Sequence, residues 1–176
     1  MVNGKVARET ITSWDRYAWG RRGARSCRYS RSLLVERLVG VGGRALGEAW
    51  NRSPRAYLGT TVPGFPNFFI LLGPNSIGIN SVIFSLEAQI AYVMEALKTM
   101  EKSRVRRIEV SPDALADYPA DCDRRSIGSV WTDGGCTAYF LDEHGRNFAI
   151  YPGFASEYRR RTRRFDPDPY ELVGVA

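Results

Sequence analysis

An α/β fold is predicted for this chain, with a buried strand, a turn and a long helix as its clearest unit. Three observations predict it. Phe68-Phe69-Ile70-Leu71-Leu72 is a short apolar run with the length and texture of a buried strand. Gly73-Pro74-Asn75-Ser76-Ile77-Gly78-Ile79-Asn80-Ser81 follows as a turn, because Gly and Asn tolerate positive φ and Pro locks its own φ at about −65°. From Val82 to about Lys102, apolar residues recur at helical spacing. Strand, turn and helix in that order aim a helix amino terminus at the strand's carboxyl end. In open α/β sheets, exposed amides and the helix dipole favour negative charge there.

The remaining elements follow in order. Val39-Gly40-Val41-Gly42-Gly43-Arg44 reads as a turn; its glycines do not follow G-x-G-x-x-G and no strong strand precedes them. Ala45 to Trp50 is a short helix, Tyr57 to Val62 a short strand, and Pro63 to Asn67 a turn set by two prolines and Gly64. In the long helix, Ile83, Leu86, Ile90, Val93, Leu97 and Met100 form the stripe expected to face the core, with Asn80 or Ser81 as its cap. Arg107 to Val110 alternates like a strand, and Pro112-Asp113 opens a more polar helix to about Arg125. Beyond it lie short segments at Ser129 to Trp131, Thr137 to Leu141 and Phe148 to Tyr151, parted by Gly-containing turns. No internal repeat is present.

Composition bounds the function. The 176 residues, 44% hydrophobic and 12% aromatic, suffice for a packed core and argue against wholesale disorder. No apolar run has the length of a membrane span. The three cysteines, Cys27, Cys122 and Cys136, form no C-x-x-C pair and fit a reducing, cytoplasmic setting better than a disulfide framework. The net charge of +6 is local: residues 1–38 hold nine Lys/Arg against three Asp/Glu, and residues 39–176 hold sixteen of each. Residues 1–38 are therefore read as an atypical, poorly ordered basic segment, and residues 39–176 as the structured portion. A nucleic-acid-binding role through residues 1–38 and the arginines of 159–164 is the weakest of the readings, because the rest of the chain is neutral.

Self-contained catalysis finds little support. His144 is the single histidine, in a polar turn, and there is no Gly-x-Ser-x-Gly elbow. No spacing of Cys and His suits a metal. The run Arg159-Arg160-Arg161-Thr162-Arg163-Arg164 has acidic neighbours, Glu157, Asp166, Asp168 and Glu171, and reads as a solvated or ion-paired surface.

Residues 39–172 resemble the carboxyl-terminal part of flavin-dependent Baeyer–Villiger-type monooxygenases, within the flavin-containing monooxygenase family. The matching pieces are Gly42-Gly43-Arg44 with Glu48-Ala49-Trp50, Tyr57 through Asn67, Leu72-Gly73-Pro74-Asn75, Asn80-Ser81-Val82 and Glu87-Ala88-Gln89. Val130-Trp131-Thr132, Gly134-Gly135-Cys136, Leu141-Asp142, Gly145-Arg146-Asn147, Tyr151-Pro152-Gly153-Phe154 and Phe165-Asp166-Pro167 follow. Their order over about 130 residues carries the resemblance, not any single piece. It implies an α/β fold made of the terminal strand and helix of a Rossmann-like FAD domain followed by a small irregular α+β cap, incomplete as a domain. It also implies a chemistry in which NADPH reduces FAD and one atom of O2 enters a ketone or a soft heteroatom.

By the same resemblance, Gly73, Pro74 and Asn75 form the turn against the flavin, and Asn80 and Ser81 supply the cap and backbone donors. Tyr139 falls near the nicotinamide and substrate. The chain departs from the family's pattern at Ser76, often Thr, at Gly78-Ile79, often Gly-His, and at Ala138-Tyr139-Phe140, typically Ser-Trp-Tyr. It also carries no G-x-G-x-x-G fingerprint for either dinucleotide. The expectation is a fragment of such an enzyme, as a truncated or frame-disturbed gene would give, inactive alone. The alternative is a subunit completing another flavoprotein chain. A lone edge strand would expose apolar surface, so low stability or association is expected.

Overall fold

The computed structural model describes residues 37–78, 81–133, 140–142 and 144–174. Asn80, Tyr139, Cys27, Cys136 and all but the last two residues of the basic segment lie outside the described residues.

A 3-10 turn at Val41–Gly43 leads into α1 (Leu46–Trp50). The long helix α2 (Val82–Lys102) has the bounds its periodicity foretells. Ser81 caps it: the backbone is extended there and Oγ accepts from Phe84 N–H at 3.2 Å. It ends at Ser103, after which Arg104 turns left-handed at φ 52°. β1 (Val105–Val110) follows, and then α3 (Pro112–Ser126), whose cap Ser111 accepts from Ala114 N–H with proline in the first turn. α4 (Val130–Asp133) and α5 (Ala155–Arg161) are short. β2 (Tyr170–Gly174) pairs antiparallel with β1, setting Ile108 opposite Leu172 and Val110 opposite Tyr170.

Helices and strands thus mix as the fold class requires, but two expected strands are absent from the described residues. Residues 68–72 form no ladder and bend at Leu71 and Leu72, the latter at φ 55°; Ile70 N–H donates once, to Thr60 O at 2.7 Å, and Leu71 is exposed. Tyr57–Val62 folds instead into a tight turn, closed by a bridge between Tyr57 and Thr61 with Leu58 and Gly59 at positive φ. Apolar composition marks such segments for burial, yet a strand also needs a neighbour to accept its hydrogen bonds. One parallel bridge, Ile77 to Ile150, is the trace of a sheet beside the turn.

The core is largely hydroxyl-bearing aromatics. Tyr92, Tyr118, Tyr151 and Tyr158 pack with Ile108, Val110 and Phe165 and are at most 2% exposed, Phe165 apart at 9%. Each tyrosine body removes a large apolar area from water, while the hydroxyl needs a partner. Tyr118 donates to Asn75 O and Tyr158 to Leu58 O, both at 2.7 Å. The Tyr92 and Tyr170 hydroxyls meet at 3.0 Å, and Tyr170 reaches Thr61 Oγ1 at 3.1 Å. A second cluster joins Leu46, Trp50, Ala56, Val62 and Phe65.

The core-facing stripe of α2 needs correction at three of its six residues, though Met100 does pack against the core. Ile83, Ile90 and Leu97 are exposed, with Met94 beside them, whereas Ser85, Ala88, Gln89, Tyr92 and Ala96 are buried. The small residues let α2 approach α5 and β1 closely, so packing selects them over the bulkier face. The helix is apolar on two opposite sides, and the described residues cover one. No helix among the described residues is long and apolar enough to cross a membrane.

Candidate functional site

The turn before α2 is built backbone against backbone. A Cβ on Gly73 would stand 2.3 Å from Gly59 O, and one on Gly59 would stand 2.4 Å from Ser76 Cβ. Only glycine permits this crossing, and Gly59 also has φ +66°. Gln89, wholly buried on α2, locks the two segments: its Oε1 accepts from Leu72 N–H at 2.7 Å and its Nε2 donates to Gly59 O at 3.2 Å.

Asn75 is the hub. It is 1% exposed with φ +53°, a conformation asparagine tolerates. Its Nδ2 donates to Asn147 O at 2.8 Å and Ile150 O at 3.3 Å, and its Oδ1 accepts from Arg146 Nη2 at 2.9 Å. Its backbone N–H reaches Phe148 O, and Ile77 N–H reaches Ala149 O. Ser76 Oγ folds back on Gly73 O, and Gly78 N–H is held by Ser85 Oγ. Arg146 in turn bonds Asp123 Oδ1 at 2.7 Å and Pro54 O at 3.0 Å. Burial, more than any charge, lowers the affinity of that guanidinium for its proton, with Asp123 opposing it. Burial likewise pushes the Tyr118 hydroxyl well above the ordinary phenol range and Tyr170 up to about 12, so both remain neutral phenols at neutral pH.

Gly73, Pro74, Asn75 and Ser81 thus stand together in one turn-and-helix unit. Asn80 and Tyr139 lie outside the described residues. Gly73, Pro74 and Asn75 are buried, and the Asn75 carboxamide is spent on the chain itself. What faces outward is the first turn of α2, where Val82 is 45% and Ile83 69% exposed. Its opening amides lie ahead of the helix's own first donor, Ser85 N–H. A negatively charged group fits the donor chemistry there. The turn's other amides named above are already satisfied.

Sequence reasoning missed Gln89, Ser85, Tyr118 and Tyr158 as builders of this unit. A glutamine in an apolar helix was the one available signal; the tyrosine contacts span 43 and 100 residues and leave none. His144 is exposed in its turn, with its backbone N–H on Asp142 Oδ1. Cys122 is wholly buried, its thiol pushed up to about 12 by that burial. Among the described residues no group of His, Cys, Asp and Glu is arranged to hold a metal ion.

Comparison with known proteins gives this geometry a context. No protein-family model matches the chain. A Baeyer–Villiger monooxygenase of Pseudomonas aeruginosa is 42% identical over 138 residues, 77% of this chain and 26% of that protein. Another, from Streptomyces coelicolor, is 37% identical over 145 residues, 81% of this chain and 28% of that protein. Among solved structures, an oxidized steroid monooxygenase bound to NADP superposes with a TM-score of 0.67 at 28% identity. That match covers 78% of this chain and 26% of the other. Over 77–81% of its length the chain is thus homologous to Baeyer–Villiger monooxygenases. The chain spans about a quarter of the length of the curated relatives it matches.

Proposed function

We propose that this chain is the flavin-facing, carboxyl-terminal portion of an FAD- and NADPH-dependent monooxygenase, and that it does not turn over alone. The complete enzyme would place one atom of O2 into a ketone or a soft heteroatom. The observation that carries the reading is the 42% identity sustained over 138 residues. Residues 68–72 and α2 would then be the last strand and helix of a Rossmann-like domain, the strand pairing only when its neighbours are present. The unclustered cysteines support a reducing, cytoplasmic setting.

When bound, FAD would supply the redox and oxygen chemistry, with NADPH as reductant. The chain's own part is electrostatic and positional. Reduced flavin is anionic on its pyrimidine edge, and the opening amides of α2 would meet that charge, worth about 0.3–1 kcal/mol at an exposed helix end. Ser81 holds the first turn in place. Gly73 and Pro74 set the direction of entry through their backbone, and Asn75 acts by fixing the turn because its carboxamide is already engaged. Asn80 and Tyr139 are assigned to the flavin donors and the nicotinamide vicinity on the family resemblance.

The test has two arms. Purified with excess FAD and passed through gel filtration, the chain is expected to elute colourless. Grafted in place of the matching segment of the Pseudomonas aeruginosa relative, residues 39–176 are expected to give a yellow chimera that oxidises NADPH when a ketone is added. A soluble, folded chimera that neither retains flavin nor consumes NADPH would sink the reading.

A second reading is favoured by one observation, the exposed Ile83, Ile90, Met94 and Leu97 face of α2. Under it the chain completes a flavoprotein carried on another polypeptide. Co-purification with such a protein, lost in an Ile90→Glu, Leu97→Glu variant, separates this from the first reading.

A further inference from the structure

A cleft of about 710 Å³ opens between the 44–55 segment and the 142–146 turn, away from the exposed start of α2. Its lining is mixed. Trp50, Val62 and Leu115 contribute apolar surface, and Arg44, Arg55 and Arg146 contribute three cations. Among the described residues lining the cleft, Asp142 is the one carboxylate, and it is saturated. Its Oδ1 accepts from His144 N–H and Arg146 N–H, both at 2.9 Å, and its Oδ2 accepts from Ser53 Oγ at 2.7 Å.

The cations are unequally compensated. Arg146 is paired with Asp123. The Arg44 guanidinium touches only the Glu48 carbonyl, at 3.3 Å, while the Glu48 carboxylate turns to Ala45 N–H. Arg55 lends its carbonyl to the Trp50 indole, and its guanidinium has no partner among the described residues. Arg55 also repels Arg146. Like charges gathered at one cleft are costly unless an anion relieves them.

The walls are also held rigidly. Ser53 to Asp142 spans 89 residues and Arg146 to Pro54 O spans 92, so two distant segments are tied across the cleft floor. Asn51 and Arg52 both adopt positive φ, at 41° and 65°, to carry the chain round this edge. A preformed cleft lined by both apolar and cationic side chains suits a particular chemistry.

We propose that this cleft binds a small organic oxyanion, a phosphate or carboxylate carried on a flat apolar body, with the charged group between Arg55 and Arg44 and the body against Trp50 and Leu115. The site is independent of any flavin contact at α2. Guanidinium groups meet such oxyanions with two parallel hydrogen bonds, which a bound chloride cannot reproduce.

The experiment uses the full chain and fluorine-19 NMR, with 4-fluorophenyl phosphate, 4-fluorobenzoate and neutral 4-fluorobenzyl alcohol as probes. Saturable binding of at least one anion is expected, weakened by added salt, with none for the alcohol. The two anions distinguish phosphate from carboxylate. Arg55→Gln should weaken binding roughly tenfold or more. Arg44→Gln should weaken it as well, and Ile127→Gln, at an exposed residue outside the cleft, should not. Both arginines are exposed, so amide spectra of the variants should keep the native dispersion. No saturation by either anion would overturn the proposal. Equal binding of the alcohol, or unchanged affinity in the Arg44→Gln, Arg55→Gln double variant, would do the same.

Discussion

Arg146 and Asn75, 71 residues apart, meet as guanidinium and carboxamide, with Nη2 donating to Oδ1 at 2.9 Å. The bond ties the turn before α2 to the loop that carries Asn147 and Ile150, whose carbonyls Asn75 also holds. Asn75→Ala removes all three bonds and leaves buried acceptors and a half-buried cation short of partners. A loss of about 2–4 kcal/mol in stability is expected. Urea unfolding of the two proteins side by side measures it, and a change within experimental scatter would show that the hub is dispensable.

The crossing of Gly73 over Gly59 makes a steric prediction. Gly73→Ala sets a methyl 2.3 Å from a backbone oxygen that cannot swing away. The segments must part, at a cost of about 1–3 kcal/mol. Gly42→Ala is the control: its φ is +76° but nothing lies within 4 Å of the new carbon, so backbone preference alone contributes, about 1 kcal/mol. Thermal midpoints should fall further for Gly73→Ala than for Gly42→Ala.

How far the fold was legible depends on the range of the cause. The bounds of α2, its Ser81 cap and the opening of α3 at Pro112 are local matters of periodicity and capping, and the structure agrees with them. The buried face of α2 is not local. Periodicity ranks residues by apolarity, and Ile83, Ile90 and Leu97 outrank Ser85, Ala88 and Gln89. Close approach to α5 and β1 rewards small side chains instead. Residues 68–72 looked like a strand because they are apolar, but pairing depends on a neighbour that local texture cannot supply. At the site, glycine and asparagine announced a turn; the partners that close it, Arg146, Asn147 and Tyr118, come from far along the chain.

Substitutions on the two faces of α2 test that account. Ala96 is 0% exposed, so Ala96→Leu overpacks the contact with the core and is expected to cost about 1–3 kcal/mol. Ile90→Gln, on the opposite face, should change stability by no more than about 0.5 kcal/mol and should raise solubility. Chemical denaturation and concentration-dependent light scattering check the pair. The reverse ranking would restore the bulky stripe as the core face.

Cys122 offers a probe of global opening. It is wholly buried and its thiol is pushed up to about 12, so the reactive thiolate is scarce near neutral pH. Iodoacetamide should leave the Cys122 peptide unmodified in native buffer and alkylate it fully in strong denaturant. Peptide mapping by mass spectrometry reads this site separately from Cys27 and Cys136. Rapid native labelling at Cys122 would mean that the tyrosine-lined core opens readily.

Glu157 predicts the acid side of the stability profile. Arg125 meets its carboxylate with two hydrogen bonds, at 2.9 and 2.6 Å, and this interaction lowers the Glu157 proton affinity from an ordinary value near 4.5. A carboxylate more acidic in the folded than in the unfolded chain stabilises the fold at any pH above its unfolded value. That contribution is lost as pH falls through the lower, folded value, because the unfolded chain then takes up the proton first. The melting temperature of the native chain should therefore exceed that of Glu157→Gln at neutral pH. The gap should hold down to about pH 5, shrink below the ordinary carboxylate range, and close once the folded carboxyl protonates. Glu157 lies on the partly exposed face of α5 and shares Arg125 with Asp121, so added salt should narrow the gap at neutral pH as well. A gap that widened toward acid would mean that Arg125 raises the carboxyl's proton affinity, contrary to the geometry.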